Sequence, residues 1–253
     1  MYGIILDTEG YSNCPSYNIG YTIADLKKLE IVRRENIAIL PNVWYNMEEF
    51  NKHRFSENQK NQELSQMYHR NLKDIMLNSG TNKKYHIINS EHGLFIHFAR
   101  IFKEFDIKDF YAFNMPFDRG ALKRTLTEYH YNTLFEKRLM NYHDIQTAVF
   151  YTLCNNIEYI KYCIVNGFQT EKGNYQTKAE TFYRFLTNNR DFEEEHTALA
   201  DAEIETEMLF MALKKDPNPS TAPTRPYLEL NKIVHKDDGD AICNILDEYL
   251  FAA

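Results

Sequence analysis

MYGIILDTEG, residues 1–10, is the stretch from which the rest of the chain is read. Tyr2 to Leu6 form a short, almost wholly apolar run that predicts a buried strand, and it stops abruptly at Asp7, Thr8, Glu9 and Gly10. Side chains alternate along a strand, so Asp7 and Glu9 point to the same side. Two carboxylates at the end of a buried strand repel one another and lose hydration, a cost that a cation between them removes. The pair is therefore a candidate metal site. The competing reading is a strand that simply runs out into a solvated polar turn, so the rest of the chain has to supply further ligands.

The whole chain bounds what such a site can belong to. At 253 residues and 43% hydrophobic, it can bury one sizeable core with a small appendage. Its 18 Tyr and 17 Phe against a single Trp supply many rings able to pack or to stack on bases. A formal charge of -7 argues against a protein that coats nucleic acid by charge alone. It leaves room for an enzyme that meets nucleic acid through bound divalent ions, whose charge dominates locally. Cys14, Cys154, Cys163 and Cys243 contain no C-x-x-C pair, which disfavours a zinc knuckle and a disulfide scaffold and fits a reducing cytoplasm. The first strand begins directly after Met1, leaving no room for a signal peptide, and no apolar run approaches the ~20 residues of a membrane span. The expectation is a soluble, cytoplasmic protein without membrane contact.

Beyond the loop at Tyr11 to Ser16, strands are expected at Tyr17 to Ala24 and Ile31 to Leu40, the latter closed by Pro41. Short connections between the three predict an antiparallel meander. The polar segment 42–84 reads as a cover, helical in pieces such as Gln62 to Met76. Ser90 is a plausible N-cap for a helix with Leu94, Phe95, Phe98, Ile101, Phe102 and Phe105 on one face. A fourth strand at Phe110 to Phe113 precedes a helix over Phe117 to Tyr129 with Pro116 in its first turn. Tyr142 and His143 give a fifth strand, and Asp144 caps the helix after it. Further helices are expected at Ile157 to Val165, Lys178 to Leu186 and Ala198 to Lys214. The pattern predicts an α/β domain over residues 1–214 with a mixed five-stranded sheet flanked by helices. Residues 215–227 read as a Pro-rich linker, and 228–253 as an extension, a strand from Leu228 to Val234 and an amphipathic helix from Ala241, packing on the domain or on a partner.

Two more carboxylates stand where apolar residues are expected. Asp118 lies three and four residues before Ala121 and Leu122, which puts it on the inward face of its helix together with Phe117, Leu126 and Tyr129. Asp201 precedes the Ile204, Met208 and Met211 stripe by three residues, while Glu203, Glu205 and Glu207 are expected to project elsewhere. A carboxylate on an apolar stripe is costly unless paired or metal-bound. His196 lies five residues before Asp201, which in one continuous helix would swing the two side chains about 140° apart. If they act together, His196 must stand in the loop before the helix.

Taken together these residues resemble the DEDDh family of 3′ to 5′ exonucleases, which includes proofreading subunits of DNA polymerases, oligoribonuclease and RNase T. The family's D-x-E motif matches Asp7 and Glu9, its N-x-x-F-D motif matches Asn114, Phe117 and Asp118, and its H-x-A-x-x-D motif matches His196, Ala198 and Asp201. The resemblance covers about residues 1–213 and implies an RNase H-like fold. It departs after Glu9, where many relatives carry threonine before the glycine and Gly10 follows directly here.

The resemblance implies a two-metal-ion nuclease that hydrolyses phosphodiester bonds at the 3′ end of single-stranded DNA or short RNA and releases nucleoside 5′-monophosphates. The cofactors would be two divalent cations, Mg2+ or Mn2+, held by Asp7, Glu9, Asp118 and Asp201, with Asp7 between the two and His196 as general base. Gly10, Tyr11, Asn114 and Phe117 are the candidate substrate contacts, and Lys123 and Arg124 are within reach of phosphates or simply solvated. A replication or repair protein is a possible partner. The alternative is a catalytically inactive exonuclease fold that binds nucleic acid or such a protein.

Overall fold

The computed structural model describes residues 1–11, 14–54, 59–78, 82 and 84–230. Ser12, the strand expected beyond Leu230, Cys243 and the amphipathic stretch from Ala241 lie outside the described residues. The chain divides into two compact units, one of residues 1–143 and 194–206, the other of residues 144–193 and the chain from Glu207 on.

The first unit is built on strands β1 (Tyr2–Glu9), β2 (Asn18–Asp25) and β3 (Glu30–Ile39), which form the expected antiparallel meander. Leu40–Arg54 is helix α1 and Gln59–Asn78 is α2, so the polar cover is helical as expected. Pro41 is the second residue of α1, where a missing N–H costs nothing, and therefore opens a helix as well as ending a strand. Tyr85–Ile88 is a strand, β4, followed by helix α3 (Glu91–Glu104), strand β5 (Asp109–Ala112), helix α4 (Met115–Thr125), the short helix α5 (Glu128–Tyr131) and strand β6 (Asn141–Asp144).

The sheet has six strands in the order β4-β3-β2-β1-β5-β6, which corrects the expected five. The additional strand, β4, is only four residues long and pairs parallel with β3 at the edge. β1 lies inside the sheet, antiparallel to β2 and parallel to β5. Ile4, Leu6, Ile19, Tyr21, Ile23, Ile37 and Ile39 of the sheet are buried with Leu94, Phe98, Ile101 and Phe102 of α3. Ser90 caps α3, its hydroxyl accepting from the Gly93 N–H at 3.0 Å, as its position in the sequence predicts. A smaller cluster of Tyr17, Val43, Phe50 and Leu72 joins α1 and α2 to the entry of β2.

The second unit holds α6 (Ile145–Val149), α7 (Ile157–Val165) and α8 (Ala179–Thr187). The Asp144 carboxylate accepts from the Thr147 N–H and caps α6. The Pro-rich stretch is strapped to the same turn: the Thr221 carbonyl accepts from Asp144 N–H at 2.9 Å, and the Thr224 N–H donates to the Thr147 hydroxyl at 3.2 Å. Residues 226–230 are helical where a strand was expected from Leu228. The last long helix, α9 (Ala198–Lys215), begins in the first unit. No helix among the described residues is long and apolar enough to cross a membrane.

Candidate active site

Asp7 and Glu9 stand at the carboxyl end of β1, beside the parallel strand β5, where open α/β sheets gather ligands. Asp7 is paired across the sheet with Gly20 of β2. A Cβ on Gly20 would lie 2.0 Å from the carbonyl carbon of Ala198 and from the nitrogen of Leu199. Only glycine therefore lets the first turn of α9 rest on the sheet at this point. Two hydrogen bonds hold the helix there: Ala198 N–H donates to Asn18 Oδ1 at 3.3 Å, and the hydroxyls of Thr22 and Thr206 meet at 2.6 Å. Asp201, one turn into α9, is brought to β1 by this contact. Asp7, Glu9 and Asp201 each offer an oxygen, and the three oxygens lie within 4.8 Å of one another.

The electrostatics match that crowding. Burial, then the charge of Glu194, push the Asp7 carboxyl up to about 7. Burial, then Asp7, Asp201, Asp118 and Glu194, hold Glu9 well above the usual carboxylate range. Asp7 Oδ2 is buried and accepts no hydrogen bond from the described residues. An all-carboxylate donor set with an unsatisfied buried oxygen is what a hard divalent cation takes.

Asp118 is buried as its spacing predicts, 1% exposed, but its carboxylate is braced on the middle residue of the first motif. Its Oδ1 accepts from the Thr8 N–H at 3.1 Å and from the Thr8 hydroxyl at 2.8 Å. Burial, then the charge of Asp7, raise it well above its ordinary value. Three of the four expected ligands thus converge, and the fourth stands beside them on Thr8. Asn114 places Asp118 through its backbone: it adopts a left-handed conformation, φ 61°, and its carbonyl accepts from the Phe117 N–H as α4 begins.

His196 lies in the loop before α9, as the spacing to Asp201 requires, with its side chain 45% exposed and Nδ1 3.8 Å from Glu194 Oε2. Its backbone is left-handed, φ 54°.

Sequence reasoning missed Glu205. It was expected to project away, yet it is buried, accepts from the Phe113 N–H at 3.2 Å, and is raised well above its usual range by burial and by Asp7, Asp118 and Asp201. The buried residues of α9 are Ala198, Leu199, Ala202, Glu205, Thr206, Met208, Leu209 and Ala212, so Met208 is buried as expected, while Ile204 and Met211 are only half-buried. One turn separates Asp201 from Glu205, and that spacing of four was the available signal.

A cavity of about 460 Å³ opens on the other side of Thr8, lined by Gly10, Tyr11, Phe117, Gly120 and Arg124. Phe117 was expected on the inward face of α4; it is 56% exposed and forms part of the cavity wall. Tyr129, expected on the same face, is also exposed. Tyr11 turns the edge of its ring to Phe50 at 5.8 Å, and its N–H donates to Asn46 Oδ1 at 2.7 Å. Arg124 Nε donates to the Cys14 carbonyl at 3.4 Å, which holds the guanidinium at the rim.

Comparison of the chain with protein-family models, with curated proteins and with solved structures finds no match.

Proposed function

We propose that the chain is a metal-dependent 3′ to 5′ exonuclease of the DEDDh type, acting on single-stranded ends and releasing nucleoside 5′-monophosphates. The observation that carries this reading is the convergence of Asp7, Glu9 and Asp201, from opposite ends of the chain, on one point with their oxygens within 4.8 Å of each other. The sheet order β3-β2-β1-β5-β6, antiparallel and then parallel about β1, supports an RNase H-like fold with β4 added at its edge.

Asp7, Glu9 and Asp201 would hold the divalent cations, Mg2+ or Mn2+, with Asp118 alongside. Such cations supply an activated water and neutralise charge on the phosphate and on the leaving oxygen. His196 acts as the general base that takes the water's proton. The half-exposed ring on a loop is open to the substrate's end. The cavity beside Thr8 takes the nucleotide, since about 460 Å³ lies within the range of small-molecule sites. Phe117 offers a ring face there, and Arg124 offers a cation for a phosphate oxygen. The buried, unpaired thiols of Cys14, Cys154 and Cys163 support a reducing, cytoplasmic setting.

The test is release of nucleoside 5′-monophosphates, followed by chromatography, from single-stranded DNA and RNA in parallel with Mg2+ or Mn2+. Metal-dependent release supports the reading and its ratio on the two strands gives the sugar preference. A protein that binds the strand and releases nothing with either metal is instead the inactive binding module.

A further inference from the structure

We propose that Asn71, on α2, is a positioning residue for His196. The inference rests on the exonuclease reading above, in which His196 is the base.

Asn71 is buried on the helix, next to Leu72 of the Tyr17, Val43 and Phe50 cluster. Its side-chain amide donates to the carbonyl of His196, 125 residues away in sequence. That carbonyl belongs to a residue in the left-handed region, φ 54°, a conformation that a side-chain-bearing residue keeps only where surrounding structure imposes it. The second constraint comes two residues on, where Asn18 accepts from the Ala198 N–H at 3.3 Å. The base is therefore held between a strand and a helix, the carbonyl of its own residue by α2 and the backbone after it by β2.

The strut is itself anchored. Phe50 of α1 stacks on Tyr68 of α2 at 4.5 Å, and Tyr17, which leads directly into Asn18, presents its ring edge to both at 5.9 Å. The two clamps on the histidine loop thus share one aromatic support. A neutral amide is also the right donor here. A lysine or arginine in its place would set a permanent cation near Asp7 and Glu9, whose charges reach Tyr68 one turn back on the same helix. Helix α2, which matches nothing in the exonuclease motifs, thereby holds the backbone that carries the base.

The test is a double-mutant cycle of Asn71→Leu, which keeps the volume and loses the donor without adding a charge, with His196→Ala, read as strand shortening at saturating Mn2+. Asn71→Leu alone is expected to lower kcat about 10²-fold, the scale of loss for a misplaced group, with KM and Mn2+ binding within about twofold of wild type. In the His196→Ala background it is expected to cost nothing more. Asn71→Ala runs beside it, so that a misfolded leucine variant does not decide the matter. Losses that multiply in the double variant, or Mn2+ binding that falls in step with kcat, overturn the proposal. A second readout needs no activity: backbone chemical shifts of isotope-labelled His196 are expected to report a left-handed residue in wild type and to move in both Asn71 variants. Unchanged shifts overturn the tether. Moved shifts in a protein that cleaves nothing uphold the tether and sink the exonuclease reading instead.

Discussion

Gly20 and Ala198 touch backbone to backbone: a Cβ on Gly20 would stand 2.0 Å from the Ala198 carbonyl carbon. This contact seats the first turn of α9 against β2 and, through it, sets Asp201 beside Asp7. Gly20→Ala is expected to push the helix off the sheet, at a cost of roughly 2 to 3 kcal/mol in urea unfolding, and to weaken Mn2+ binding as well. An alanine variant with wild-type stability and metal affinity would show that the helix is seated elsewhere.

The crowded carboxylates give a pH dependence with a definite sign. Folded Asp7 keeps its proton up to about 7, whereas the unfolded chain releases it near 3.8. Between those values the folded state binds more protons, so the metal-free protein loses stability as pH rises from about 4 to 7. Glu9, Asp118 and Glu205 are shifted the same way and add to the slope. Asp7→Asn is expected to flatten part of it and to raise the melting temperature in EDTA at pH 7.5. An unchanged slope would contradict the burial and crowding described here.

Glu205 has two functions that substitution separates. Glu205→Gln keeps an acceptor for the Phe113 N–H and removes a charge from the cluster, so it is expected to hold or raise metal-free stability. Glu205→Ala removes that hydrogen bond and is expected to cost about 1 to 3 kcal/mol. Chemical denaturation of both variants checks this, and equal effects from the two would contradict it.

The first strand, the three caps and stops at Ser90, Pro116 and Asp144, and the placement of Asp7, Glu9, Asp118 and Asp201 were legible because each rests on local spacing. β4 was not: Tyr85–Ile88 is too short to show a period, and its strand character comes from pairing with β3, distant in sequence. Glu205 was hidden among four acids on α9, where the buried residues of the preceding turns include Ala198 and Ala202, which carry little hydrophobic signal. Phe117 misled in the opposite direction, an aromatic ring left exposed at a cavity wall. The Asn71 contact to His196 joins two loop and helix positions that no local pattern connects.

Away from the site, Glu35 is buried beneath α3, accepting from the Tyr21 hydroxyl at 2.7 Å and from Arg33 Nε at 2.5 Å, with His97 Nε2 at 3.0 Å. Burial raises its carboxyl, but the hydrogen bonds from His97, Tyr21 and Arg33 outweigh that and hold it at about 2. The stability it contributes is complete above about 4.5 and is lost as pH falls from there to about 2. Glu35→Gln is expected to cost roughly 2 to 3 kcal/mol at pH 7 and less as the pH approaches 2. A cost independent of pH in denaturation at pH 7, 4 and 2.5 would contradict the charged network.

Cleavage by the carboxylate cage and His196 is read from a 5′-labelled single strand on a sequencing gel, with Mn2+ or EDTA, for wild type, Asp7→Ala and His196→Ala. Expected are a ladder shortening one nucleotide at a time from the 3′ end in wild type with Mn2+, no ladder in EDTA or with Asp7→Ala, and a ladder slowed about 10²- to 10⁴-fold with His196→Ala. A strand that stays full length with wild type and Mn2+, or a ladder that survives Asp7→Ala, would refute the exonuclease.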